Sequence, residues 1–473
     1  MRQIAFGTSG WRGIVAEDFT FENVKVVTQA IADHLGAEGM KGREVIIGHD
    51  SRFMGEKFAR ESARVLAAAG MKALLCRRDT PTPVIAFEIL RRGAAGGINF
   101  TASHNPAEYN GLKFSPAWGG PALPETTKDI ERRANEMLGE ICYREMPLDQ
   151  AVRQGLATEI DPRDEYLQAL ESKVDFAAIA SLGRLAINPL YGTARGYLDT
   201  PLVKHKVAFS QVNDYRDPYF GGFPPEPAEK YIQDFIRLVK DDPATKLGIA
   251  TDGDADRFGI VDADGTYLEP NYIIALLLDY LVRVRKISGG VARSVATSHL
   301  IDAVARHHGI EVYETPVGFK YIGELISQDK IIIGGEESAG LTIKGHVPEK
   351  DGILACFLVA EMVAREGKPL TQLLEELYAR VGRFVTRREN ITLSADLEAR
   401  FAGKLAALPT EIAGTRVAEV IKIDGTKLLL ADGSWLLFRK SGTEPVVRLY
   451  GEASTAARLQ EVMVAGKAFI LAE

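Results

Sequence analysis

The feature that most constrains the fold of this chain is an alternation of short apolar runs with amphipathic stretches. "VIIGHD" at 45–50 indicates a buried strand, and "GEKFARESARVLAAAG" at 55–70 has helical spacing and ends at Gly70. "KALLC", "PVIAFEILRRG" and "GGINF" then continue the pattern as strand, helix and strand. Strands that alternate with helices in this way predict a parallel α/β sheet.

The same layout recurs twice along the chain. "GRLAINPLYG" and "KLGIATDGD" flank a helical stretch around 227–240, and "GGVARSVATSHL", "GIEVYETPVG" and "KIIIGGEESAG" form a third set. From about residue 376 the pattern becomes "VAEVIKI-DGT-KLLLA-DGS-WLLFRK", which predicts hairpins with Asp-Gly turns, and a terminal helix follows. We therefore predict three similar α/β domains with mixed, largely parallel sheets, plus a C-terminal α+β domain.

The length of the chain agrees with several domains. At about 150 residues per domain, 473 residues suggest three or four. Charged, turn-rich stretches around 137–164 and 261–270 are candidate linkers. The predicted domains are 1–150, 151–260, 261–375 and 376–473.

Composition excludes several classes of protein. The net charge of −7, without a basic block, argues against nucleic-acid binding. The longest apolar run, "YIIALLLDYLV", contains Asp279 and is too short to cross a bilayer, and the N-terminus has no signal-peptide pattern. Cys76, Cys142 and Cys356 lie too far apart for a zinc knuckle and fit a reducing compartment. We expect a cytoplasmic protein with no membrane partner, and the sequence does not indicate an oligomeric state.

Four polar loops stand out, because in open α/β sheets ligands bind at the carboxyl ends of strands. The first, "TASHNP", places Ser103 and His104 after the strand "GGINF". Asn105, Pro106 and Glu108 resemble a capping box, so the loop could simply begin a helix. Such a helix would aim its positive end towards Ser103, which would suit a phosphate on that oxygen.

The second loop, "LGIATDGDADRFG", carries Asp252, Asp254 and Asp256. Three carboxylates packed this tightly repel one another, so a bound cation is a better explanation than a solvated loop. A calcium EF-hand would need Gly and Glu where Arg257 and Ala263 stand. Mg²⁺ fits better if a phosphate oxygen completes its shell.

The third and fourth loops suit a phosphorylated sugar. In "IIIGGEESAG", Glu336, Glu337 and Ser338 follow two glycines and could bind neighbouring hydroxyls, although Glu pairs are common on surfaces. The fourth loop, "FRKSGTEPVVRLY", could cradle a phosphate or could be a hairpin turn with flanking charges. Its candidate residues are Arg439, Ser441, Gly442, Thr443 and Arg448.

Missing motifs narrow the chemistry further. The sequence lacks G-x-x-x-x-G-K-[ST] and any G-x-G triplet, so it offers no P-loop and no dinucleotide fingerprint. It also lacks G-x-S-x-G, so Ser103 is not the elbow serine of a hydrolase.

Taken together, the four loops in this order resemble the α-D-phosphohexomutase superfamily, the phosphoglucomutases and phosphomannomutases. The opening "FGTSGWRG" is also similar to the N-terminal signature of that family, so the resemblance covers essentially the whole chain. It implies four domains in a heart-shaped molecule whose central cleft receives one loop from each.

The resemblance also implies roles for individual residues. The implied catalytic residues are Ser103, phosphorylated in the resting enzyme, with Lys113 as acid/base and His104 and Arg12 beside the phosphoserine. The implied Mg²⁺ ligands are Ser103, Asp252, Asp254 and Asp256. The implied substrate-binding residues are Arg257, Thr315, Gly318, Lys320, Glu336, Ser338, His346, Arg439, Ser441, Gly442, Thr443 and Arg448.

The activity implied by the resemblance is interconversion of hexose 1-phosphate and hexose 6-phosphate, with hexose 1,6-bisphosphate as intermediate and activator. Nearby cations and burial are expected to lower the pKa of Lys113, so that it can act as a base. Rotation of a domain would close the cleft and exclude water. Ala339 and Gly340 after Ser338 resemble the phosphoglucomutase form of this loop, which implies a preference for glucose phosphate. A loop that binds O3 and O4, however, does not separate glucose from mannose.

Three alternatives remain at this point. One is a phosphoglucosamine mutase of the same family. Another is a phosphatase with an aspartate nucleophile in "ATDGDAD", although Ala255 departs from its pattern and Ser103 would be unexplained. The third is a non-catalytic sensor of sugar phosphates, which would have no need to keep Ser103 and Lys113. Small sugar phosphates are the expected partners in every case.

Overall fold

The computed structural model describes residues 3–7, 10–139, 142–441 and 446–472. The chain forms four sheets of seven, five, four and six strands, in that order along the sequence. The first three contain parallel strands, and the fourth is antiparallel. This arrangement agrees with the predicted three α/β units followed by an α+β unit.

The first sheet has the strand order β1-β2-β6-β5-β3-β4-β7. Its strands are β1 (Phe6–Gly7), β2 (Gly10–Ile14), β3 (Glu44–His49), β4 (Lys72–Cys76), β5 (Gly96–Phe100), β6 (Tyr109–Pro116) and β7 (Ala157–Ile160). The accompanying helices are α1 (Phe21–Ala37), α2 (Gly55–Ala68), α3 (Thr82–Arg92), α4 (Pro124–Met137) and α5 (Leu148–Arg153). The run "VIIGH" is buried in β3, which pairs in parallel with β4 and β5 as the alternation predicts.

The second sheet has the order β12-β11-β10-β8-β9. Its strands are β8 (Arg184–Asn188), β9 (Phe209–Gln211), β10 (Thr245–Thr251), β11 (Phe258–Asp262) and β12 (Tyr267–Leu268). Its helices are α6 (Arg163–Glu171), α7 (Phe176–Ala180), α8 (Asp199–Lys204) and α9 (Gln233–Asp241).

The third sheet has the order β14-β13-β15-β16. Its strands are β13 (Gly290–Ser294), β14 (Val312–Thr315), β15 (Ile331–Glu336) and β16 (Gly340–Ile343). Its helices are α10 (Pro270–Arg283), α11 (Leu300–His308), α12 (Phe319–Ser327), α13 (Gly352–Glu366) and α14 (Leu370–Val381).

The fourth sheet has the order β17-β22-β21-β20-β19-β18, and every described pairing in it is antiparallel. Its strands are β17 (Val385–Thr392), β18 (Glu411–Ile412), β19 (Thr415–Ile421), β20 (Thr426–Leu430), β21 (Trp435–Lys440) and β22 (Val446–Ala453). Its helices are α15 (Ala395–Ala406) and α16 (Ala456–Leu471). The Asp-Gly turns predicted from the sequence join β19 to β20 and β20 to β21.

The first three sheets share one feature that positions the site. In each, a strand with a parallel neighbour turns back into an antiparallel strand: β5 into β6, β10 into β11 and β15 into β16. The connections are 101–108, 252–257 and 337–339, and they contain the serine loop, the aspartate loop and most of the sugar loop. Three of the predicted loops therefore occupy the same place in three similar units.

The cores show how the units are joined. The first and fourth sheets each have a core of their own, whereas one continuous apolar cluster spans the second and third. Helix α13 lies in that shared core and contacts β10, β11 and β16, which explains why its sequence "GILACFLVAEMV" is apolar on all sides. The second and third units therefore form one packed body.

The sheets run past two of the boundaries predicted from the sequence. Strand β7 at 157–160 pairs with β4 in the first sheet, beyond residue 150, and β11 and β12 extend the second sheet beyond residue 260. Short edge strands of this kind show little hydrophobic periodicity, so they were not predicted from the sequence. The division into four domains at the predicted residues stays a prediction.

Among the residues that the structure describes, none of the helices combines the length and the apolar composition that a bilayer crossing needs.

Candidate active site

The serine loop and the aspartate loop meet at Ser103. Its hydroxyl donates a hydrogen bond to Oδ2 of Asp252 at 2.9 Å, although the loops that carry the two residues connect strands of different sheets. Both side chains are buried, with Ser103 only 2% exposed. The structure therefore brings these two residues together.

The three aspartates form a compact group that can hold a metal ion. One carboxylate oxygen from each of Asp252, Asp254 and Asp256 lies within 4.8 Å of the others. The Oδ1 atoms of Asp254 and Asp256 are buried and have no hydrogen-bond partner within the described ranges. Hard divalent cations prefer carboxylate oxygens, so this donor set fits a Mg²⁺ ion.

Two lysines neutralise part of the triad. Nζ of Lys113 lies 2.6 Å from Oδ2 of Asp254 and 3.0 Å from Oδ2 of Asp256. Nζ of Lys350 lies 3.0 Å from the same Asp256 oxygen and 3.4 Å from Oε1 of Glu349. Lys113 reaches the triad from β6. The sequence did not predict Lys350, although it belongs to the "EKDG" segment that follows the predicted His346.

Charge and burial set the ionisation of this group. Burial, with the charges of Asp254 and Asp256, raises the pKa of Asp252 well above its usual value. Burial also acts to raise the pKa of Asp256, but Lys113 and Lys350 outweigh it and lower that pKa, and Lys113 does the same for Asp254. Without a metal ion, Asp252 is thus the carboxylate that most readily takes up a proton.

The predicted lowering of the pKa of Lys113 is wrong for this arrangement. Burial does act in that direction, but the carboxylates of Asp254 and Asp256 outweigh it and raise the pKa. Anions are the direct partners of the ammonium group, whereas the sequence suggested mainly neighbouring cations. Lys113 therefore carries its proton here.

His104 lies beside the serine, and Arg12 binds Asn105 of the same loop. Nδ1 of His104 is 3.4 Å from the Ser103 hydroxyl oxygen. Burial, with Arg257 and Arg12 nearby, lowers the pKa of His104 well below its usual value, so the ring is neutral. Burial and Arg257 likewise lower the pKa of Arg12 to about 10.

The predicted helix at Asn105 is wrong. Residues 103–108 form turns, and the chain enters strand β6 at Tyr109. The Asn105 side-chain oxygen, which would have capped the helix, accepts a hydrogen bond from the Arg12 guanidinium instead. Positive charge near Ser103 therefore comes from side chains such as Arg12 and Arg257, and not from a helix terminus.

The aspartate loop packs closely against its neighbours. A Cβ atom on Gly253 would lie 2.9 Å from the carbonyl oxygen of Ser103 and 3.0 Å from Cγ of Pro225. At the start of α13, Gly352 donates its N–H to the carbonyl of Ala255 at 3.1 Å, and a Cβ there would meet the Arg257 carbonyl at 2.2 Å. Both positions therefore require glycine. The lack of a Cβ atom lets the loop pack closely against the serine at Gly253 and against the start of α13 at Gly352.

The sugar loop joins two of the predicted substrate segments. Oε1 of Glu336 accepts the N–H of Gly318 at 2.7 Å, while Oε2 of Glu337 accepts the hydroxyls of Ser294 and Thr297. Burial and the charge of Glu337 raise the pKa of Glu336 to about 7. Near neutral pH its carboxyl group can therefore both donate and accept hydrogen bonds, as a sugar hydroxyl requires.

The contacts of three other predicted substrate residues say less about a role in binding the sugar. Thr315 is buried and its hydroxyl lies 3.0 Å from the carbonyl of Pro316, while burial lowers the pKa of Lys320. The imidazole of His346 lies 2.7 Å from Oδ2 of Asp351, which caps the N-terminus of α13. Within the described residues the imidazole of His346 therefore contacts buried side chains, and its role in the cleft stays a prediction.

A cavity of about 360 Å³ opens between the second, third and fourth sheets. Arg257 and Ser338 line it on one side and Tyr450 on the other, with Glu226 and Glu269 also at its wall. The cavity therefore links the aspartate loop and the sugar loop to the fourth sheet.

The fourth sheet turns an arginine-rich face in this direction. Arg439 on β21 and Asn390 on β17 both pair with Arg448 on β22, while Arg388 pairs with Tyr450. Paired residues share a face, so the three arginines lie on one side of the sheet. Ser441 is buried at the end of β21, and the predicted Gly442 and Thr443 lie outside the described residues.

Sequence reasoning missed several residues that contact this site. The Thr82 hydroxyl donates to Oδ2 of Asp254 at 2.5 Å, and Arg52 donates to the carbonyl of Ser103 at 2.7 Å. Thr82 opens α3 and Arg52 precedes α2, so each looks like an ordinary residue near a helix start. The only available signal was their position after strand ends.

Comparison with known proteins agrees with this geometry. The chain matches four parts of the family described as phosphoglucomutase/phosphomannomutase: alpha/beta/alpha domain I over 3–138, domain II over 164–265, domain III over 269–381 and the C-terminal domain over 390–465.

Named relatives cover nearly the whole chain. It is 29% identical to a phosphoglucomutase/phosphomannomutase from Thermococcus kodakarensis, over 98% of this chain and 97% of that protein. It is 32% identical to a protein provisionally named phosphoglucosamine mutase from Pyrococcus abyssi, over 97% and 96% of the two chains. The relatives thus share a reaction type but differ in the sugar that they are named for.

Solved structures share the fold. A provisionally assigned phosphomannomutase from Thermus thermophilus is 32% identical and superposes with a TM-score of 0.85, covering 99% of both chains. An N-acetylphosphoglucosamine mutase from Aspergillus fumigatus, in complex with GlcNAc-6P and magnesium, has a TM-score of 0.58 at 15% identity, covering 99% of this chain and 95% of that one.

The matches to all four domains, together with the full-length relatives, establish the family and the class of enzyme. The chain belongs to the phosphoglucomutase/phosphomannomutase family of the α-D-phosphohexomutase superfamily, and it is a phosphohexomutase, an isomerase that moves a phosphoryl group.

Proposed function

We propose that this enzyme interconverts the 1-phosphate and 6-phosphate of glucose, mannose or both, and that Ser103 carries the transferred phosphoryl group. The observation that carries the proposal is the 2.9 Å hydrogen bond from the Ser103 hydroxyl to Asp252. It places the oxygen that would hold the phosphate at a buried carboxylate group flanked by Lys113. Phosphoryl transfer depends mainly on alignment and on neutralising charge, and this arrangement serves both.

Asp252, Asp254 and Asp256, with an oxygen on Ser103, would hold Mg²⁺. When bound, the ion would stabilise negative charge on the phosphoryl oxygens during transfer. Arg12 and Arg257 lie close enough to His104 beside Ser103 to affect its pKa, and they add further positive charge to the site.

The proposed reaction has two transfer steps. A hydroxyl oxygen of the bound sugar attacks the phosphorus on Ser103, the bond from that phosphorus to the serine oxygen breaks, and hexose 1,6-bisphosphate forms. The bisphosphate then presents its other phosphate, which returns to Ser103 and leaves the isomeric product. We assign the exchange of the hydroxyl proton to Lys113. Lys113 could accept this proton only after releasing its own, which would become easier if Asp254 and Asp256 bound a cation and no longer stabilised the ammonium form. The same bisphosphate would rephosphorylate an enzyme that has lost its phosphate.

The fourth sheet would hold the phosphate that is not being transferred. Arg439 and Arg448 pair across adjacent strands, so their side chains share the face that is turned towards the cavity. Two guanidinium groups in this arrangement suit a phosphate dianion at either end of the sugar. Ser441, Gly442 and Thr443 complete the proposed group.

Glu336 and Ser338 would bind hydroxyls of the sugar, as the resemblance implies for O3 and O4. A 2-amino sugar is the second candidate, because one relative that is 32% identical is named for glucosamine. The carboxylates of Glu226 and Glu269 at the wall of the cavity would also attract an ammonium group.

The proposal is tested by supplying the purified protein, with Mg²⁺ and a trace of glucose 1,6-bisphosphate, with the 1-phosphates of glucose, mannose and glucosamine in turn. A coupled assay measures each 6-phosphate, and a second assay measures free phosphate. We expect turnover of glucose or mannose 1-phosphate and no turnover by Ser103→Ala. The matched variant Ser172→Ala, whose exposed hydroxyl bonds only a helix carbonyl within the described residues, should keep full activity.

Other outcomes would decide against the proposal. Release of phosphate without isomerisation would favour the phosphatase, and binding without either reaction would favour a sensor. Turnover of glucosamine 1-phosphate alone would keep the mechanism and replace the substrate. Full mutase turnover by Ser103→Ala would contradict the role of Ser103.

A further inference from the structure

The backbone of Ser103 has an unusual conformation for a residue that must hold a side chain in place. Its φ angle is +52°, in the left-handed region that residues other than glycine seldom adopt. Such a conformation costs about 1–2 kcal/mol and persists only where surrounding contacts enforce it. The contacts that enforce it here are two side-chain hydrogen bonds, one on each side of the serine.

Both backbone groups of Ser103 are bound by buried side chains. Its N–H donates to the hydroxyl oxygen of Thr101 at 2.8 Å, and its carbonyl accepts from Nη2 of Arg52 at 2.7 Å. Thr101 and Arg52 have no exposed surface. The peptide groups that define the serine's φ and ψ are therefore both tied to side chains from the first sheet.

A single carboxylate joins these two side chains. Oδ2 of Asp50 accepts the Thr101 hydroxyl at 2.6 Å and Nε of Arg52 at 3.1 Å, and Oδ1 accepts the Arg52 backbone N–H at 2.9 Å. The Thr101 hydroxyl thus donates to Asp50 and accepts from Ser103, which uses its one proton and one lone pair consistently. Asp50 is fully buried, so water does not compete for these bonds.

Arg52 also holds the rest of the loop. Its guanidinium donates to the carbonyls of Asn105 at 2.5 Å, Pro106 at 2.7 Å and Tyr109 at 3.0 Å, in addition to that of Ser103. The Phe220 ring from the second unit covers the guanidinium at 5.0 Å. One fully buried cation therefore binds three carbonyl groups of the connection between β5 and β6 and a fourth at the first residue of β6.

We propose that Asp50, Thr101 and Arg52 act as a clamp that holds Ser103 in its left-handed conformation and so aims its hydroxyl at Asp252. They are positioning residues, because they bind the backbone of the serine and not its reacting oxygen. The tight contact between the Ser103 carbonyl and Gly253 leaves little room for the loop to shift without changing the distance from Ser103 to the aspartates. The kinetic part of this inference rests on the proposed function, whereas the structural part does not.

The test compares Thr101→Val with Thr101→Ser. Valine has nearly the same shape but removes both hydrogen bonds, and serine keeps the hydroxyl. We expect Thr101→Val to lower kcat for glucose 1-phosphate roughly 10- to 100-fold while KM stays within about threefold, because the loss is one of alignment. Thr101→Ser should restore most of kcat. A crystal structure of Thr101→Val should show Ser103 out of the left-handed region.

A matched control separates positioning from a general loss of stability. Thr28 is equally buried, and its hydroxyl bonds Ser62 and the carbonyl of Val24 within α1 and α2. Thr28→Val should lower the melting temperature and leave kcat unchanged. Wild-type kcat in Thr101→Val, or an unchanged φ at Ser103 in its structure, would overturn the clamp.

The outcomes also separate the clamp from the proposed function. A wild-type protein without mutase activity would contradict the function, while the crystal structure of Thr101→Val would still decide on the clamp. If Thr101→Val does not fold, Arg52→Lys takes its place, because lysine keeps the charge but cannot reach four carbonyls as a guanidinium does. Wild-type kcat in a folded Arg52→Lys would count equally against the clamp.

Discussion

Three single residues in the active-site loops share a left-handed backbone. Ser103, Ala255 and Ala339 have φ angles of +52°, +58° and +71°, and each lies in the connection that turns a strand back on itself. Residues other than glycine adopt this conformation at a cost, and such residues concentrate at functional sites. The serine, aspartate and sugar loops therefore combine the same turn with a different polar group.

The ionisation of Glu336 gives a prediction about stability. Burial raises its pKa to about 7 from an ordinary 4.5, so between these pH values the folded protein keeps a proton that the unfolded chain has released. The free energy of unfolding therefore falls as the pH rises from about 4.5 to about 7, and above pH 7 it is lowered by the full amount. Glu336→Gln removes the group, and we expect it to gain up to about 3 kcal/mol relative to wild type between pH 4.5 and 7.

Thermal unfolding of both proteins across this pH range is the measurement. Ser338→Ala changes a neighbouring side chain without an ionisable group, so its difference from wild type should be the same at every pH. A difference between Glu336→Gln and wild type that does not change with pH would contradict the raised pKa.

At the level of residues, the sequence was informative where chemistry and strand ends coincided. Ser103 and the three aspartates follow apolar strands, and the structure brings them together. Asp50, Thr101 and Arg52 carry no distinctive local pattern, because their importance arises from contacts with backbone groups that lie elsewhere in the chain. The capping box at Asn105 failed for the same reason: Arg12, 93 residues away, takes the oxygen that the cap would need.

The aspartate loop, as an element, depends on a glycine that lets it approach the serine. A methyl group on Gly253 would lie 2.9 Å from the Ser103 carbonyl, closer than packed atoms tolerate. We expect Gly253→Ala to push the two loops apart and to lower kcat roughly tenfold or more, measured by the mutase assay. Gly403→Ala, at an exposed helical position with open space around its Cβ, should keep full activity and raise stability by up to about 1 kcal/mol.

Wild-type turnover in Gly253→Ala would mean that the spacing of the two loops does not limit the reaction.

The alternation of strand β17 gives a second prediction at this scale. Arg388 shares a face with Arg448 and Arg439, and its guanidinium lies 6.0 Å from the Tyr450 ring. Arg387 belongs to the opposite face and bonds Gln460 of α16, but it also reaches the wall of the cavity. We expect Arg388→Gln to raise KM for the hexose phosphate about three- to tenfold with little change in kcat, an effect that shrinks as salt is added.

Arg400→Gln on α15 is the matched control: it removes the same charge at a residue that is not among the described residues lining the cavity, and it should leave KM unchanged. Equal effects of the two variants would show that Arg388 acts only through the overall charge of the protein.

The elements themselves were largely predictable. "VIIGHD", "KALLC", "GGINF" and the Asp-Gly hairpins all form the predicted strands, because their apolar pattern agrees with their burial. The edge strands β7 and β12 were not predicted, since a strand with one neighbour and few buried residues needs little periodicity. Element type was therefore readable from local sequence, whereas sheet boundaries depended on pairing.

At the scale of the whole molecule, the fourth unit packs on the third through an interface that combines an apolar contact with hydrogen bonds, and we call this interface the joint. Trp435 packs with Val295 and Ala296 of the third unit, and its Nε1 donates to Oε1 of Glu452 at 2.7 Å. Glu452 also accepts hydrogen bonds from Ser298 and from the N–H of His299. The joint sets where the arginine face of the fourth sheet lies relative to the sugar loop.

We expect Trp435→Phe to loosen this joint. The change removes a buried donor from Glu452 and should cost about 1–3 kcal/mol of stability. It should also raise KM for the sugar phosphate more than it lowers kcat, because the arginine face moves while the serine and aspartates stay in place. Thermal unfolding, small-angle scattering and steady-state kinetics measure the three effects, and Tyr219→Phe, at a residue that is 72% exposed, is the control. A change in kcat alone would contradict this account of the joint.

The most direct test of the whole account follows the phosphoryl group itself. The purified enzyme is incubated with Mg²⁺, a trace of unlabelled hexose 6-phosphate that removes any phosphate already on Ser103, and glucose 1,6-bisphosphate labelled with radioactive phosphate. It is then digested, and the labelled peptide is identified. We expect the label to lie on Ser103 and to leave it for the sugar when excess unlabelled hexose phosphate is added. Label on an aspartate, or isomerisation without any label on Ser103, would contradict it.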